Sequence, residues 1–192
     1  QLKQWRDAGL RTVPVAFNIA ADDVRAGRVV PMLDSLLREA GLPPSILECE
    51  LTETSIVADV RAAKKIFEQL VAMGLTTAVD DFGTGYSSLV HITDLPVNVV
   101  KIDKSFVQTM DTSTGSRAII QAIIAMTSAM GSVSIAEGVE THAQLREIRD
   151  HGCKLVQGYL FDPPLTPDVA ARRLAETRPY AKRLQPDMAL LV

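Results

Sequence analysis

Carboxylates, side-chain amides and a lysine recur along this 192-residue sequence, each near the end of a short apolar run. The residues that share this position are Asn18, Glu50, Asp80, Asp81, Lys101, Asp103, Glu137 and Gln157. A strand buried on both faces is normally almost entirely apolar, so a polar residue near the end of every run is an unexpected pattern. Taken one at a time, such residues are more typical of solvated loops, helix caps, Asx turns or surface lysines. Their chemistry becomes specific only if the runs bring them together.

Five of these residues are carboxylates, and four of the five are candidates for one cluster, namely Glu50, Asp80, Asp81 and Glu137. A cluster of carboxylates repels itself and raises the pKa of its members unless cations lie between them. Carboxylate oxygens with an Asn carbonyl favour hard ions such as Mg²⁺ or Mn²⁺, with Ca²⁺ as an inhibitory substitute. We expect the adjacent side chains of Asp80 and Asp81 to diverge, so that each reaches a different ion. Two ions about 3.5 to 4 Å apart are a recurring device for phosphoester hydrolysis, and the pattern predicts that chemistry.

The elements around these residues predict how they meet. Short β-branched runs alternate with longer segments of helical period, which indicates βα units around a parallel sheet. Strands are expected near residues 13–19, 46–52, 76–81, 98–103, 132–138 and 154–160, with helices ending at Gly41, Gly74, Gly131 and Gly152. In a (β/α) barrel the C-terminal ends of the strands form one rim, where the active site lies. Side-chain alternation then places Glu50, Lys101 and Glu137 on the inner face.

The number of strands falls short of the eight in a closed barrel of this class. The first residues, QLKQWRDAG, indicate a helix with Leu2 and Trp5 on one face and no strand before it. We therefore expect a TIM-like (β/α) barrel over residues 1–176, with its first strand absent from this chain. Residues 177–192 are expected to form a C-terminal helix or tail.

Composition excludes several functional classes. Twenty basic and 23 acidic side chains give a net charge of −3, which argues against a nucleic-acid-binding or membrane-binding surface. The most apolar run, AIIQAIIAM, is too short to span a bilayer, so a membrane anchor, if the protein has one, is expected outside this chain. Two widely spaced cysteines, Cys49 and Cys153, favour small core residues over a zinc motif or a disulfide framework. A cytoplasmic location is the expectation.

The motifs match a known family. The chain resembles the EAL-domain phosphodiesterases of bacterial signalling, which cleave cyclic di-GMP to linear pGpG on a TIM-like barrel. The stretch DDFGTGYSSL is close to diagnostic, and the other motifs follow in the family's order. FNIA corresponds to the family's N-L-S stretch, with Ala20 in place of serine, and ELTE corresponds to its E-x-T-E motif. The K-x-D motif falls on Lys101 and Asp103, the E-G-V-E motif on Glu137 and Glu140, and the Q-G-Y motif begins at Gln157.

The resemblance implies a role for each matching residue. Metal binding is implied for Asn18, Glu50, Asp80, Asp81 and Glu137. Lys101 is expected to hold the attacking water or a phosphate oxygen, and Glu137 is expected to accept a proton as well. Substrate binding or support of the metal ligands is implied for Asp103, Gln157 and Glu140.

The glycine-rich turn after Asp81 is implied to be a mobile loop over the metal site that is also linked to dimerisation. Glu53 is expected to anchor this loop, and Gly83 and Gly85 supply its dihedral freedom. A homodimer is therefore expected, with sensor or GGDEF-type domains outside this chain. The family's E-x-L-x-R motif, which supplies a metal-binding Glu and a phosphate-binding Arg, does not occur in the sequence.

Two other functions remain open from the sequence. Related domains that have lost ligands bind cyclic di-GMP without cleaving it, so a receptor module is the main alternative. Every motif except E-x-L-x-R is whole here, which favours the enzyme. An enolase-like metal-dependent barrel also carries carboxylates on successive strands with a lysine base, but nothing in that class explains DDFGTGYSS. Hydrolysis of cyclic di-GMP with Mg²⁺ distinguishes these possibilities.

Overall fold

A computed structural model describes residues 1–85 and 92–176. Two predictions lie outside these residues: the conformation of the glycine-rich loop beyond Gly85 and the helix or tail over residues 177–192.

The described residues form a single sheet of six parallel strands. The strands are β1 (Val15–Asn18), β2 (Leu47–Thr52), β3 (Thr76–Phe82), β4 (Val99–Ile102), β5 (Val133–Ala136) and β6 (Leu155–Val156). Their order in the sheet is their order in the chain, and each neighbouring pair is parallel. The predicted six βα units are confirmed, although β6 is much shorter than the run from 154 to 160 had indicated.

Helices follow the strands and cover one side of the sheet. Those with described bounds are α1 (Leu2–Asp7), α2 (Ala21–Ala26), α3 (Val29–Ala40), α4 (Glu53–Ala58), α5 (Val60–Met73), α6 (Lys104–Thr109), α7 (Thr114–Ala129), α8 (His142–Asp150) and α9 (Pro167–Ala175). Side chains of Thr52, Asp59, Ser113 and Thr141 cap the N-termini of α4, α5, α7 and α8, which satisfies backbone N–H groups that have no partner inside the helix. Gly74 ends α5 in the left-handed conformation.

The hydrophobic core lies between the sheet and its helices. Cys49 and Leu51 of β2 pack in one buried cluster with Phe67 and Leu70 of α5. The opposite, inner face of the sheet includes both buried and exposed positions. Val133 lies on it, two residues before Ile135, the register partner of Lys101, and its side chain is 43% exposed. The helices therefore stabilise the outer face and leave the inner face to carry polar groups.

Strand register fixes which residues share the inner face. One continuous row across the first five strands consists of Asn18, Glu50, Ala78, Val99 and Val133. Directly opposite residues of neighbouring strands project to the same side of a sheet. Within the described part of the chain, β1 and β6 each pair with one neighbour only, so the sheet curls without closing.

Candidate active site

Lys101 lies at the centre of a group of carboxylates on the inner face. Its Nζ is 2.9 Å from Glu50 Oε1, 2.9 Å from Asp80 Oδ1 and 2.8 Å from Glu137 Oε1. Three strands and the segment after β5 supply these four residues. Lys101 and Glu50 are buried, with 7% and 4% exposure. The predicted convergence of strand-end residues is therefore visible as contacts between side chains from distant parts of the sequence.

The Lys101 ammonium remains charged in this environment. Burial by itself lowers the pKa of Lys101, but its interactions with Glu137, Asp80 and Glu50 outweigh burial and raise that pKa above the ordinary value for lysine. A buried cation is tolerated only when it is paired and hydrogen-bonded. The site therefore presents a permanent positive charge among its carboxylates at any physiological pH.

A β-bulge positions Asp80 and Asp81. Val79 pairs with Val100, but Phe82 pairs with Ile102, so β3 contains one more residue than β4 between these pairs. Asp81 has a φ of 53°, in the left-handed region, which aspartate adopts more readily than most residues. Bulges of this kind redirect side chains next to functional sites.

The bulge makes the two aspartates converge. One carboxylate oxygen each from Asp80, Asp81 and Glu137 lie within 4.8 Å of one another. The ions of a two-metal site lie only about 3.5 to 4 Å apart, so oxygens at this spacing can still reach different ions, and the expectation that Asp80 and Asp81 each reach a different ion stays a prediction. The three carboxylates form one group that could hold a metal ion.

The charges of the site fit a divalent cation. Asp80 Oδ1 is buried, and among the described residues it has no polar partner besides Lys101 Nζ, which lies 2.9 Å away. Asp81 is exposed at the surface, yet partial desolvation by its surroundings, followed by the neighbouring Asp80 and Asp103 carboxylates, raises the pKa of Asp81. Burial also raises the pKa of Glu137, and its contact with Lys101 offsets this only in part. Lys101 thus leaves negative charge uncompensated, and the oxygen-only donor set suits Mg²⁺ or Mn²⁺.

Glu48 is a further carboxylate near this group. It precedes Glu50 by two residues on the inner face of β2. Burial and the Glu50 carboxylate raise the pKa of Glu48, while Lys101 lowers it. The sequence shows the alternation that places Glu48 here, but its position before the strand end did not mark it as part of the site.

Gln157 orients Glu137. Gln157 Nε2 donates to Glu137 Oε1 over 2.8 Å, the same oxygen that contacts Lys101. The backbone around Gln157 is tied to the segment after β5, because Gln157 N donates to Ala136 O and Val139 N donates to Gln157 O. Gln157 therefore acts on the site through Glu137.

Gly158 permits this close approach of two backbone segments. A Cβ at position 158 would lie 2.2 Å from Val139 O and 2.3 Å from Val139 N. We expect Gly158→Ala to lower the free energy of unfolding by about 2 to 4 kcal/mol, because rigid backbone atoms must move to admit the methyl group. Urea unfolding of the purified protein measures this loss.

Gly131→Ala is the matched control for that substitution. Gly131 has a φ of 73°, but a Cβ there meets nothing within 4 Å. Gly131→Ala should therefore lower the free energy of unfolding only by the strain of the left-handed conformation, about 1 to 2 kcal/mol. Equal losses for the two variants would show that the Val139 backbone yields and that Gly158 is not required for the approach.

Three other residues of the sequence motifs make contacts outside the carboxylate group. Asp103 caps α6, where its Oδ1 accepts from Ser105 N over 2.9 Å. Glu53 is buried, and its Oε2 accepts from Gly83 N over 2.8 Å and from Gly85 N over 3.3 Å. Glu140 is exposed and contacts Gln108 at 3.4 Å, away from the carboxylate group.

Asn18 lies at the edge of the described sheet. It ends β1 directly opposite Glu50, and its side chain is exposed. This places its amide on the inner face in the row that contains Glu50.

Comparison with known proteins identifies the family. The family model described as EAL domain matches residues 1–164. This chain belongs to the EAL-domain family. The cyclic di-GMP phosphodiesterase NbdA of Pseudomonas aeruginosa is 39% identical over 164 residues, which are 85% of this chain and 21% of NbdA. The cyclic di-GMP phosphodiesterase RocR of the same organism is 35% identical over 153 residues, which are 80% of this chain and 39% of RocR. The chain thus spans well under half the length of these relatives.

Solved EAL-domain structures share the fold. A structure described as PaMucR phosphodiesterase in complex with c-di-GMP is 35% identical with a TM-score of 0.82, over 88% of this chain and 68% of that chain. The EAL domain of Mycobacterium smegmatis DcpA is 33% identical with a TM-score of 0.84, over 91% of this chain and 78% of that chain. The predicted family and TIM-like barrel fold are confirmed. In the described part of this EAL-domain chain, no helix is both long and apolar enough to cross a membrane.

Acidification is expected to affect folding and metal binding of this EAL-domain chain in opposite directions. The pKa values of the Glu48, Asp81 and Glu137 carboxyls are raised, chiefly by partial desolvation, which is least complete at the exposed Asp81. For these groups the native state binds more protons than the unfolded chain, so their contribution to the free energy of unfolding increases as the pH falls through their folded pKa values. Metal binding requires ionised carboxylates, so affinity for Mn²⁺ falls over the same range. Urea unfolding with EDTA and calorimetric Mn²⁺ titration, each at two pH values, test both directions.

Glu48→Gln isolates one contribution to that pH dependence. The variant removes a titrating group whose pKa is raised without removing a residue assigned to metal binding. The gain in unfolding free energy on acidification should therefore be smaller in Glu48→Gln than in the unchanged protein. An identical pH dependence in the two proteins would contradict the assignment of Glu48 to the buried carboxylate group.

Proposed function

We propose that this chain belongs to a metal-dependent phosphodiesterase that hydrolyses cyclic di-GMP to linear pGpG. The observation that carries the proposal is the inner-face group in which Lys101 contacts Glu50, Asp80 and Glu137, with Asp81 beside them. Two relatives, NbdA and RocR, are cyclic di-GMP phosphodiesterases, and the similar MucR structure is a phosphodiesterase in complex with c-di-GMP. Substrate and reaction are carried to this chain from those relatives. The residue roles are those that the family resemblance implies, and the contacts of Lys101 with Glu50, Asp80 and Glu137 support them.

The residues proposed to hold two divalent cations, Mg²⁺ or Mn²⁺, are Asn18, Glu50, Asp80, Asp81 and Glu137. Ca²⁺ is proposed to inhibit. When bound, such ions polarise a scissile phosphate and lower the pKa of a coordinated water. The convergence of Asp80, Asp81 and Glu137 within 4.8 Å supports this assignment.

Lys101 is proposed to hold a phosphate oxygen or the attacking water. Its pKa is raised by its carboxylate partners, so it donates as a full positive charge throughout the reaction. Glu137 is proposed to accept a proton, because burial raises its pKa and a carboxylate with a raised pKa is a stronger base. Gln157 keeps the Glu137 carboxylate oriented through its 2.8 Å hydrogen bond.

Support of the site is proposed for the remaining motif residues. Glu53 holds the start of the glycine-rich loop through Gly83 and Gly85, which matches a loop anchor. Asp103 fixes the N-terminus of α6 next to Asp81. Glu140 is proposed to contact substrate or to support the ligands from the rim.

The organisation of the whole protein is also a proposal. We take residues 1–176 as one barrel unit, because Arg173 of α9 makes two hydrogen bonds to Asp162 after β6. The family's dimerisation, a cytoplasmic location and accompanying sensor or GGDEF-type domains are proposed for the protein that carries this chain. The larger size of NbdA and RocR is consistent with further domains.

Incubation of the protein that carries this chain with cyclic di-GMP tests the function. Linear pGpG should appear with Mg²⁺ or Mn²⁺ and disappear when EDTA is added, as followed by chromatography. Tight binding of cyclic di-GMP without any product in either metal would instead identify a receptor module. Neither binding nor hydrolysis would contradict both functions.

A further inference from the structure

We propose that the ion pair between Arg173 and Asp162 positions Gln157 and, through it, Glu137 in the site. This inference deepens the proposed phosphodiesterase function and rests on it. It assigns a role to α9, which begins at Pro167, beyond the residues 1–164 that the family model matches.

The ion pair has two parallel hydrogen bonds. Arg173 Nε lies 2.9 Å from Asp162 Oδ2, and Arg173 Nη2 lies 3.1 Å from Asp162 Oδ1. The Asp162 side chain is 9% exposed and that of Arg173 is 30% exposed. Two-point pairing of a guanidinium with a carboxylate fixes the relative orientation of the groups as well as their distance. A third hydrogen bond, from Arg173 Nη1 to Glu176, holds the guanidinium from its other end.

Backbone hydrogen bonds hold together the segment from Gln157 to Phe161, the residue before Asp162. Phe161 N donates to Gly158 O over 3.1 Å, and Leu160 N donates to Val139 O over 3.0 Å. Val139 N donates back to Gln157 O over 3.1 Å. The segment from Gln157 to Asp162 is therefore a compact turn whose two ends are held at the segment after β5 and at α9.

The position of Gln157 matters because its side chain reaches the carboxylate group. Gln157 Nε2 donates to Glu137 Oε1, which also lies 2.8 Å from Lys101 Nζ. A shift of the turn moves the donor that orients Glu137. Groups that orient a metal-binding side chain commonly change metal affinity or activity when they are altered.

The turn is also held by Phe161, which is 8% exposed and packs in the hydrophobic core. β6 contains only two residues and pairs with β5 at two positions. No residue of α9 is fully buried, although several of its apolar residues are half-buried. The bidentate ion pair adds an oriented polar link between α9 and the turn, at the residue next to Phe161.

Substitution of Arg173 in the protein that carries this chain tests the inference. Arg173→Ala should lower kcat for cyclic di-GMP and affinity for Mn²⁺ by about fivefold each, with little change in KM, because Glu137 loses orientation rather than substrate contact. Arg173→Lys retains the charge but not the two-point geometry, so its losses should be intermediate. Melting temperatures confirm that each variant is folded at the assay temperature.

Arg172→Ala is the matched control, because Arg172 is an exposed arginine of the same helix and its replacement should leave kcat and Mn²⁺ affinity unchanged. The double variant Asp162→Asn with Arg173→Ala should be no worse than the poorer single variant, as expected for one shared interaction. Unchanged kcat and Mn²⁺ affinity in Arg173→Ala overturns the inference, as does an equal loss in Arg172→Ala.

Failure of the proposed function gives a different result. If the unchanged protein binds Mn²⁺ without hydrolysing cyclic di-GMP, the phosphodiesterase proposal fails, while weaker Mn²⁺ binding in Arg173→Ala still supports the positioning role. If the unchanged protein neither binds Mn²⁺ nor hydrolyses cyclic di-GMP, both are overturned.

Discussion

Replacing Asp80 by Asn is expected to reduce hydrolysis of cyclic di-GMP by about a thousandfold, which corresponds to about 4 kcal/mol in the activation free energy. Asp80 combines a place in the group with Asp81 and Glu137 and a buried oxygen that has no polar partner among the described residues besides Lys101. Removing its charge weakens the site for divalent ions, which depend on anionic oxygen ligands. Steady-state turnover and calorimetric Mn²⁺ titration measure the two losses.

Asp150→Asn serves as the control for Asp80→Asn. Asp150 is exposed at the C-terminal end of α8, where a negative charge is not favoured by the helix dipole, so turnover should be unchanged and stability should not fall. Glu50→Gln is expected to resemble Asp80→Asn because Glu50 is the deepest-buried of the three carboxylates that contact Lys101. If Asp80→Asn keeps more than about a tenth of the turnover, a loss below about 1.4 kcal/mol, the ligand assignment of Asp80 is wrong.

Replacing Lys101 by Ala is expected to lower turnover of cyclic di-GMP much more than affinity for it. The Lys101 charge acts on the water or on charge that develops at a phosphate oxygen, so its loss is felt mainly in the transition state. We expect a drop in turnover of about a hundredfold or more. Turnover is measured with Mn²⁺, and the dissociation constant is measured with Ca²⁺ in its place. Equal fold-changes in turnover and dissociation constant would show that Lys101 is a ground-state phosphate contact.

The same substitution has a consequence for folding. Without Lys101, the carboxylates of Glu50, Asp80 and Glu137 lose the cation that lies 2.8 to 2.9 Å from each. Breaking a buried ion pair from one side costs about 3 to 5 kcal/mol, so Lys101→Ala should be clearly destabilised in EDTA. Adding Mn²⁺ should restore part of the loss. Lys154→Ala, at an exposed lysine before β6, should show neither effect.

The approximate location of the site could be predicted because the relevant patterns are local. Alternation within β2 and β4 puts Glu50 and Lys101 on one face without reference to any other strand. Parallel strands in βα units share one rim at their C-terminal ends, so polar residues at those ends meet whatever the details of packing. The Lys101 contacts to Glu50 and Glu137 follow from these two rules.

Interactions between segments that are distant in the chain could not be predicted from such local patterns. Glu48 shows the limit, because its place on the inner face is evident from alternation, while its raised pKa depends on burial that only the folded chain creates. Asp103 shows another, because a strand-end carboxylate is equally able to face the site or to cap the next helix, and here it caps α6.

The sequence by itself determined the order of six βα units, the inner face of the sheet and the rim where the carboxylates and Lys101 gather, because side-chain periodicity and βα connectivity are properties of neighbouring residues. Only the tertiary structure decided the rest. The bulge at Asp81 depends on the register between β3 and β4, the approach of Gly158 to Val139 depends on how two loops pack, and the Arg173–Asp162 pair depends on where α9 returns. Each is a relation between segments that are separate in the chain, set by packing and hydrogen bonding between them rather than by the pattern within either one.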